Sequence, residues 1–405
     1  MANSNLFNAK REKNDEFYTQ YADIQKEIEA YLEYNPDIFR GKVVYCNCDD
    51  PFESNFFRYF VLNFNKLRLK QLITTSYKPS PVANTQLELF GEYKTPTKSK
   101  GRSKITANKF IIDEVHDVDG DGEFNLKDVV KQLKVNKYNE WTPLEGDGDF
   151  RSNECINLLK QSDIVVTNPP FSLFREYVKQ LFDYDKKFVI IGNMNAITYK
   201  EIFPLIKANR LWLGATGNGS DMVFAVPNGS EIAESDRQKA ARLGYVGDYT
   251  RLGNSCWFTN LDHGRRHKPL PLMTKADIIK FSTKKAFKKY DNYNAIEVSQ
   301  VKSIPSDYDG VMGVPISFLD KYNPDQFEIL GATQRGCHDE VPDTKKYDDY
   351  WEVRQDGKKT GSSGGKTNEN ANLVGNDGKK NYFINNKGRI IQSAYQRIFI
   401  RHKEK

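Results

Sequence analysis

Cysteine is scarce, with five residues in 405 (Cys46, Cys48, Cys155, Cys256 and Cys337). The number is odd and no pair has the Cys-x-x-Cys spacing, which argues against a disulfide framework or a zinc ribbon. A reducing cytoplasm is the compartment this usage fits. Long apolar runs are missing as well: none approaches the ~20 residues that span a bilayer. With a mean hydropathy of −0.69, the chain is expected to be soluble and not a membrane protein. The N-terminus, Met1-Ala2-Asn3-Ser4-Asn5 followed closely by Lys10, Arg11, Glu12 and Lys13, carries no apolar leader, so export is not expected. Five histidines are present and none shows metal-ligand spacing.

What is present is charge and aromatic surface. Lys plus Arg number 60 against 54 Asp plus Glu, for a net +6, too small an excess to name a partner. Its distribution says more. His263 to Lys289 holds nine Lys/Arg against Asp277 alone, and Gly375 to Lys405 holds eight basic residues against two acids. Asp113 to Asp128 is the reverse, with seven acids and one lysine. Basic stretches with Tyr and Phe interleaved suit a phosphate-contacting surface, although single lysine runs are often plain solvated faces. Aromatics at 13% are enough to stack on bases as well as to fill a core.

At about 150 residues per domain, the length predicts two or three domains. Ile24, Ile28, Tyr31 and Leu32 fall at helical spacing. Val43 to Cys46 is a β-prone run stopped by Asp49, Asp50 and Pro51, then Phe56, Phe57, Phe60, Val61 and Phe64 read as a helix and 69–76 as a strand. Residues 79–109, polar with three prolines, read as a long insertion or loop. A strand is expected over 109–115 and a helix over 126–133. Ser162 to Thr167 is a buried-type strand ended by Pro169 and Pro170. A helix with Ser172 as its N-cap is expected to follow, carrying Phe174, Tyr177, Val178, Leu181 and Phe182 on one stripe. A strand at 187–193, a helix at 202–208 and a strand at 211–214 complete an alternation that predicts a doubly wound, mostly parallel α/β sheet with ligands at the carboxyl ends of its strands. Beyond 230 the pattern blurs. Residues 356–380, rich in Gly, Ser, Asn and Lys, read as a mobile loop, and no internal repeat is found.

Thr167-Asn168-Pro169-Pro170-Phe171 carries the chemistry. It sets an amide, a locked backbone and an aromatic at the end of a buried strand. The Asn168 side-chain oxygen and the Pro169 carbonyl can both accept hydrogen bonds from one exocyclic amino group, while Phe171 stacks on the ring that bears it. Two acceptors on an NH₂ make its lone pair available for attack, and the prolines hold them in place beforehand. The bland alternative is a tight turn after a strand. Two further segments suggest accessory sites. Asp117, Asp119, Asp121, Glu123 and Asp128 lie in a 12-residue run that matches calcium-loop spacing, with Asp in place of the final bidentate Glu. The expectation is a structural calcium site, the alternative an acidic turn. Gln86-Leu87-Glu88-Leu89-Phe90 is similar to the short peptide by which bacterial proteins dock on the sliding clamp, against a local strand as the alternative. The run Gly214-x-x-Gly217-x-Gly219 is read as a loop.

Several separate segments, in one order, point to a family. Asp15-Glu16-Phe17-Tyr18-Thr19-Gln20, Val43 through Pro51, Gly146 through Ser152, Ser162 through Arg175, Lys289 through Tyr293 and Tyr308 through Pro315 resemble the EcoRI-type adenine-specific DNA methyltransferases. The resemblance spans most of the chain, with insertions near 79–145 and 335–385. It implies a Rossmann-like, S-adenosylmethionine-dependent methyltransferase sheet over 1–230 and a DNA target-recognition region over 231–405. It implies methyl transfer from S-adenosylmethionine to the N6 of an adenine flipped out of duplex DNA, by a monomer in the cytoplasm. By position, Tyr18 and Thr19 would bind the methionine end of the cofactor, and Asn47, Cys48 and Asp49 would line the loop after the first strand. Asp149 and Phe150 would hold and cover the cofactor's adenine, while Asn168, Pro169, Pro170 and Phe171 would take the target. The first-strand loop departs from other methyltransferases in lacking a glycine-rich turn, and the strand near Thr75 lacks the usual ribose-binding acid. Cytosine-C5 chemistry is excluded, because it needs a cysteine after proline and no Pro-Cys pair occurs. The alternatives kept open are a methyltransferase of RNA or of a protein amide, and a non-catalytic DNA-binding or clamp-associated protein.

Overall fold

The computed structural model describes residues 18–48, 54–77, 107–118, 120–121, 124–125, 128–129, 131–132, 138–216, 222–226, 232–281, 287–333 and 340–403. The chain divides into two compact units, one of residues 1–195 with 213–264, the other of 196–212 with 265–405. The first compact unit thus runs on to 264, past the residue 230 at which the sequence pattern blurs. Tyr249–Leu252 and Ser255–Thr259 are strands of the first unit's sheets.

The strands up to that boundary are β1 (Tyr18–Thr19), β2 (Val43–Cys46), β3 (Gln71–Thr75), β4 (Asn108–Ile112), β5 (Glu140–Pro143) and β6 (Ile164–Thr167). They continue with β7 (Lys187–Asn193), β8 (Trp212–Leu213), β9 (Met222–Ala225), β10 (Tyr249–Leu252) and β11 (Ser255–Thr259). The main helices are α1 (Tyr21–Tyr34), α2 (Asn55–Leu62), α3 (Asn153–Gln161) and α4 (Phe174–Asp183). The large sheet has eight strands in the order β5-β4-β3-β2-β6-β7-β11-β8. Its centre, β3-β2-β6-β7, is parallel. The pairs β3-β4, β4-β5 and β7-β11 are antiparallel, so the sheet is mixed rather than mostly parallel. The central runs Val43–Cys46 and Ile164–Thr167 are buried along their whole length, which is why they read as uninterrupted apolar β segments.

From β2 the chain steps outward to β3, then returns to the other side of β2 to form β6. That reversal makes the carboxyl ends of β2 and β6 the switch point of the sheet, where open α/β folds bind ligand. The segments there are pinned. The Asp163 carboxylate accepts from the Val43 amide (2.8 Å) at the opposite end of the same strands, and the Ser54 hydroxyl accepts from the amides of Phe56 (3.2 Å) and Phe57 (3.3 Å) to cap α2. Ser152 caps α3 through the Cys155 amide. Ser172 is not the N-cap of α4: a 3₁₀ turn over Phe171–Leu173 precedes the helix, and Leu173 takes the N-cap position without a side-chain bond. A second sheet, β1-β9-β10, is antiparallel throughout.

The second unit is mainly β, where the sequence pattern is weakest. Its strands are β12 (Ile296–Glu297), β13 (Met312–Pro315), β14 (Phe327–Ala332), β15 (Tyr350–Val353), β16 (Lys359–Ser363), β17 (Asn372–Val374), β18 (Tyr382–Asn385), β19 (Ile390–Ser393) and β20 (Arg397–His402). They form a four-stranded sheet, β12-β13-β20-β14, and a five-stranded one, β16-β15-β18-β19-β17. Residues 356–380 are thus not a mobile loop, since they hold β16, β17 and the turns between strands of the five-stranded sheet. The buried bidentate pair Arg397–Glu297 (2.6 and 3.0 Å) ties β20 to β12. Among the described residues no helix is long and apolar enough to cross a membrane. Gln86–Phe90, the clamp-like peptide, lies outside the described residues.

Candidate active site

The loops leaving β2, β3 and β6 meet at one edge of the large sheet. Asn47, directly after β2, is buried and is held twice: the Thr167 hydroxyl at the end of β6 donates to its carbonyl, and the Tyr177 hydroxyl on α4 donates to its side-chain oxygen. Burial pushes the Tyr177 phenol well above its ordinary range, so it remains a donor. Asn168, Pro169, Pro170 and Phe171 begin one residue after Thr167. Asn168 is 8% exposed, Pro169 is buried, and Pro170 and Phe171 are half-buried. The first-strand loop and the Asn-Pro-Pro-Phe segment are therefore neighbours, joined through Thr167.

Cys48 lies in the left-handed region at φ +67°, which side chains bearing a Cβ rarely adopt. Cys48 thus takes a backbone conformation that glycine adopts freely, in a loop whose sequence has no glycine. Asp49 lies outside the described residues. Gly148, at φ +78°, approaches the end of β3 so closely that a Cβ there would lie 1.9 Å from the Ser76 carbonyl oxygen. That approach carries Asp149 and Phe150 to the same edge. Phe150 is buried, sits edge-on to Tyr177 at 4.9 Å between centroids, and its carbonyl accepts from Gln180 (3.0 Å). Asp149 receives Arg151 in a two-pronged bond at 2.9 and 2.6 Å. The Arg151 guanidinium holds its carboxyl below the usual carboxylate range. Past β3, Ser76 pairs with Asn108 on β4, accepting from its amide at the hydroxyl and donating its own amide to the Asn108 carbonyl.

Tyr18 and Thr19 reach this edge by another route. They form β1 of the small sheet, paired to Ala225 and Phe224, and the Thr19 carbonyl accepts from Asn55 (2.7 Å) at the first turn of α2, the helix following the β2 loop. The Thr19 hydroxyl is buried with no hydrogen-bond partner among the described residues. A buried hydroxyl left unpaired is costly, and one placed beside the β2 loop is what a polar cofactor would satisfy. Thr19 and, around the same edge, Asn47, Cys48 and Phe150 are the residues that would hold S-adenosylmethionine there.

The calcium expectation is not supported. Asp119 and Glu123 lie outside the described residues. Asp128 is fully buried, with its two oxygens accepting from the amides of Val118 (3.0 Å) and Asn125 (2.9 Å). Asp117 accepts from the Gly120 amide at 2.7 Å. These carboxylates serve the loop's own backbone, and among the described residues no group of three or more His, Cys, Asp or Glu gathers to hold a metal.

Two residues that tie the site together, Tyr177 and Arg151, were given no role by the sequence: Tyr177 reads as one more position of the α4 stripe, and Arg151 lies within the Gly146–Ser152 segment without a function of its own. The signal that could have found Tyr177 is a hydroxyl on an otherwise apolar stripe.

Fold and edge together define the class: an S-adenosylmethionine-dependent α/β methyltransferase. The family model described as adenine-specific methyltransferase EcoRI matches residues 5–403, and the chain belongs to that family. Type II methyltransferase M.EcoRI of Escherichia coli is 47% identical over 81% of this chain and 89% of its own length. M.MpnI of Mycoplasma pneumoniae is 36% identical over 80% of this chain and 83% of its own. M.MgeORF184P of Mycoplasma genitalium is 35% identical over 80% and 84% respectively. No solved structure matches.

Proposed function

We propose that this protein is a site-specific DNA methyltransferase that adds a methyl group to the N6 of adenine in duplex DNA. The observation that carries the reading is Asn168-Pro169-Pro170-Phe171 at the carboxyl end of β6, bonded through Thr167 to the loop after β2. S-adenosylmethionine, when bound, supplies an electrophilic methyl on a sulfonium. Thr19, Asn47, Cys48 and Phe150 hold and enclose it, with Asp149 beside them.

The chain's own residues prepare the nucleophile. The Asn168 side-chain oxygen and the Pro169 carbonyl accept the two N6–H bonds, which draws the nitrogen's lone pair out of conjugation with the ring. Phe171 stacks on the base and keeps water off its face. As the N6–C bond forms, the methyl's bond to the sulfonium would break and leave the neutral thioether of the spent cofactor; the charge passes to the nitrogen, which releases one proton to solvent, a step that asks for no metal and no strong general base. Bringing adenine out of the duplex costs a few kcal/mol, offset by stacking and by phosphate contacts from exposed lysines of the basic stretches at 263–289 and 375–405, such as Lys268, Lys288, Lys289 and Lys387. Neither calcium nor the clamp peptide enters this proposal.

The test is transfer of tritiated methyl from the cofactor into duplex DNA. Asn168→Ala is expected to lower the transfer rate by at least about a hundredfold, the scale of losing one preorganised hydrogen-bonding group at a reacting centre, with cofactor affinity retained. Label appearing in RNA or protein but never in DNA would overturn the substrate. An active Asn168→Ala would overturn the role of that side chain.

A further inference from the structure

In the five-stranded sheet of the second unit one four-residue sequence occurs twice, as Asp356-Gly357-Lys358-Lys359 and Asp377-Gly378-Lys379-Lys380. Strand register brings the two copies to the same end of the sheet. Val353 pairs with Lys359 across the first turn and with Tyr382, just after the second. Both turns are built alike. Gly357 and Gly378 take φ +81° and +75°, and each aspartate folds back to accept the amide two residues on, Asp356 from Lys358 (3.0 Å) and Asp377 from Lys379 (2.9 Å).

The copies are also locked to each other. Gln355 and Asn376 exchange side-chain amide bonds at 2.9 and 3.1 Å. Gln392 reaches in from β19 to accept the Asp377 amide (3.1 Å) and to donate to the Lys380 carbonyl (3.0 Å). The aspartates are turned into their own backbone and close no ion pair with Lys358 or Lys379, although the Asp377 carboxylate lies near enough to Lys379 and Lys380 to feel their charge. Arg354, Lys358 and Lys379 are exposed and form no ion pair among the described residues. Lys359 lies over Trp351 at 3.9 Å and Lys380 over the 76% exposed Tyr395 at 4.4 Å.

We propose that these paired turns form one rigid basic prong that grips the backbone phosphates of duplex DNA. The fit is one of charge and stiffness. Turns already fixed by hydrogen bonds have no backbone left to order when their cations meet a polyanion, so only side-chain freedom is lost. Lysine tips on turns also suit phosphates, which position a protein on DNA, rather than base edges, which specify sequence. The inference rests on DNA being the substrate.

The experiment measures binding of a fluorescein-labelled duplex to the full chain over a series of salt concentrations. Lys358→Ala with Lys379→Ala removes two phosphate contacts. It should lower the slope of log affinity against log salt by about 2 and weaken binding by more than about tenfold near 0.1 M salt, equally on any sequence. Cofactor affinity should not change. Gln355→Ala keeps every cation but unlocks the turns, and should weaken binding several-fold at unchanged slope. A wild-type slope and affinity in the double variant would overturn the prong while leaving DNA methylation intact. A wild-type protein that binds no duplex at all would overturn both readings.

Discussion

Cys48 bends the chain where a small, flexible residue is the usual choice. Its φ of +67° carries strain on the order of 1–2 kcal/mol for a side chain with a Cβ, and it persists because Asn47 beside it is clamped by Thr167 and Tyr177. Replacement by glycine should therefore be tolerated, with thermal stability near wild type, whereas Cys48→Val should lose about 2 kcal/mol in chemical denaturation. Equal stability of the valine variant would mean the turn relaxes and the strain is not held. The same residue shows what sequence can and cannot reveal. Asn168 and its prolines are legible because their chemistry is local: two acceptors, a stiff backbone and a ring in four consecutive positions. The Cys48 turn is not legible, because what fixes it is two side chains about 120 and 130 positions away.

Between elements, the decisive residue is Glu27, a carboxylate within the otherwise apolar buried stripe of α1 formed by Ile24, Ile28 and Tyr31. It accepts from the Tyr31 hydroxyl (2.9 Å), the amides of Ala215 (2.7 Å) and Thr216 (2.8 Å) and the Thr216 hydroxyl (2.5 Å). A single side chain thus anchors the start of the segment that runs from β8 towards β9, the partner of the Tyr18–Thr19 strand. Gly214 has its reason here as well. A Cβ on it would sit 2.3 Å from the Glu27 carboxylate and 2.4 Å from Trp257 Cβ. The glycine run read as a loop therefore contains one position set by close packing. Burial pushes the Glu27 carboxyl upward, and the four donors oppose that shift. Glu27→Ala strands two amides and should destabilise the protein by about 3 kcal/mol or more. Glu27→Gln, which keeps one acceptor oxygen, should lose less. An alanine variant as stable as wild type would show that the loop finds other partners. Elements made of unbroken apolar runs, β2, β6 and β7, can be read directly from the sequence. The nine strands after 264 are two to six residues long, too short to stand out, so glycine and asparagine in the turns between them dominate the pattern and resemble loop.

At the scale of the whole chain, the division into units is set by pairing that no local pattern announces. β11 leaves its place in sequence order to lie between β7 and β8, matching Ser255 to Asn193 through Thr259 to Val189. Its side chains are buried throughout. Trp257 meets Phe56 at 6.1 Å and Phe258 meets Phe174 at 4.9 Å between ring centroids. The alternation of strand and helix fades near 230, which is where sequence alone would end the catalytic unit, some 25 residues before this strand begins. A chain cut after residue 230 keeps the Asn-Pro-Pro-Phe segment and every cofactor-binding candidate, yet loses β10 and β11. It exposes β7 as an edge bearing Val189, Ile190 and Ile191, all wholly buried in the intact protein, and such an edge invites pairing with other chains. A chain cut after 264 retains the strand and the aromatic contacts beneath it. The shorter fragment should aggregate and show no cooperative melting. The longer one should unfold cooperatively and still titrate with S-adenosylmethionine, read by tryptophan fluorescence, because Trp257 lies in that core. Cofactor binding by the 230-residue fragment would mean that β11 is a cover on the sheet rather than part of what holds the site in shape.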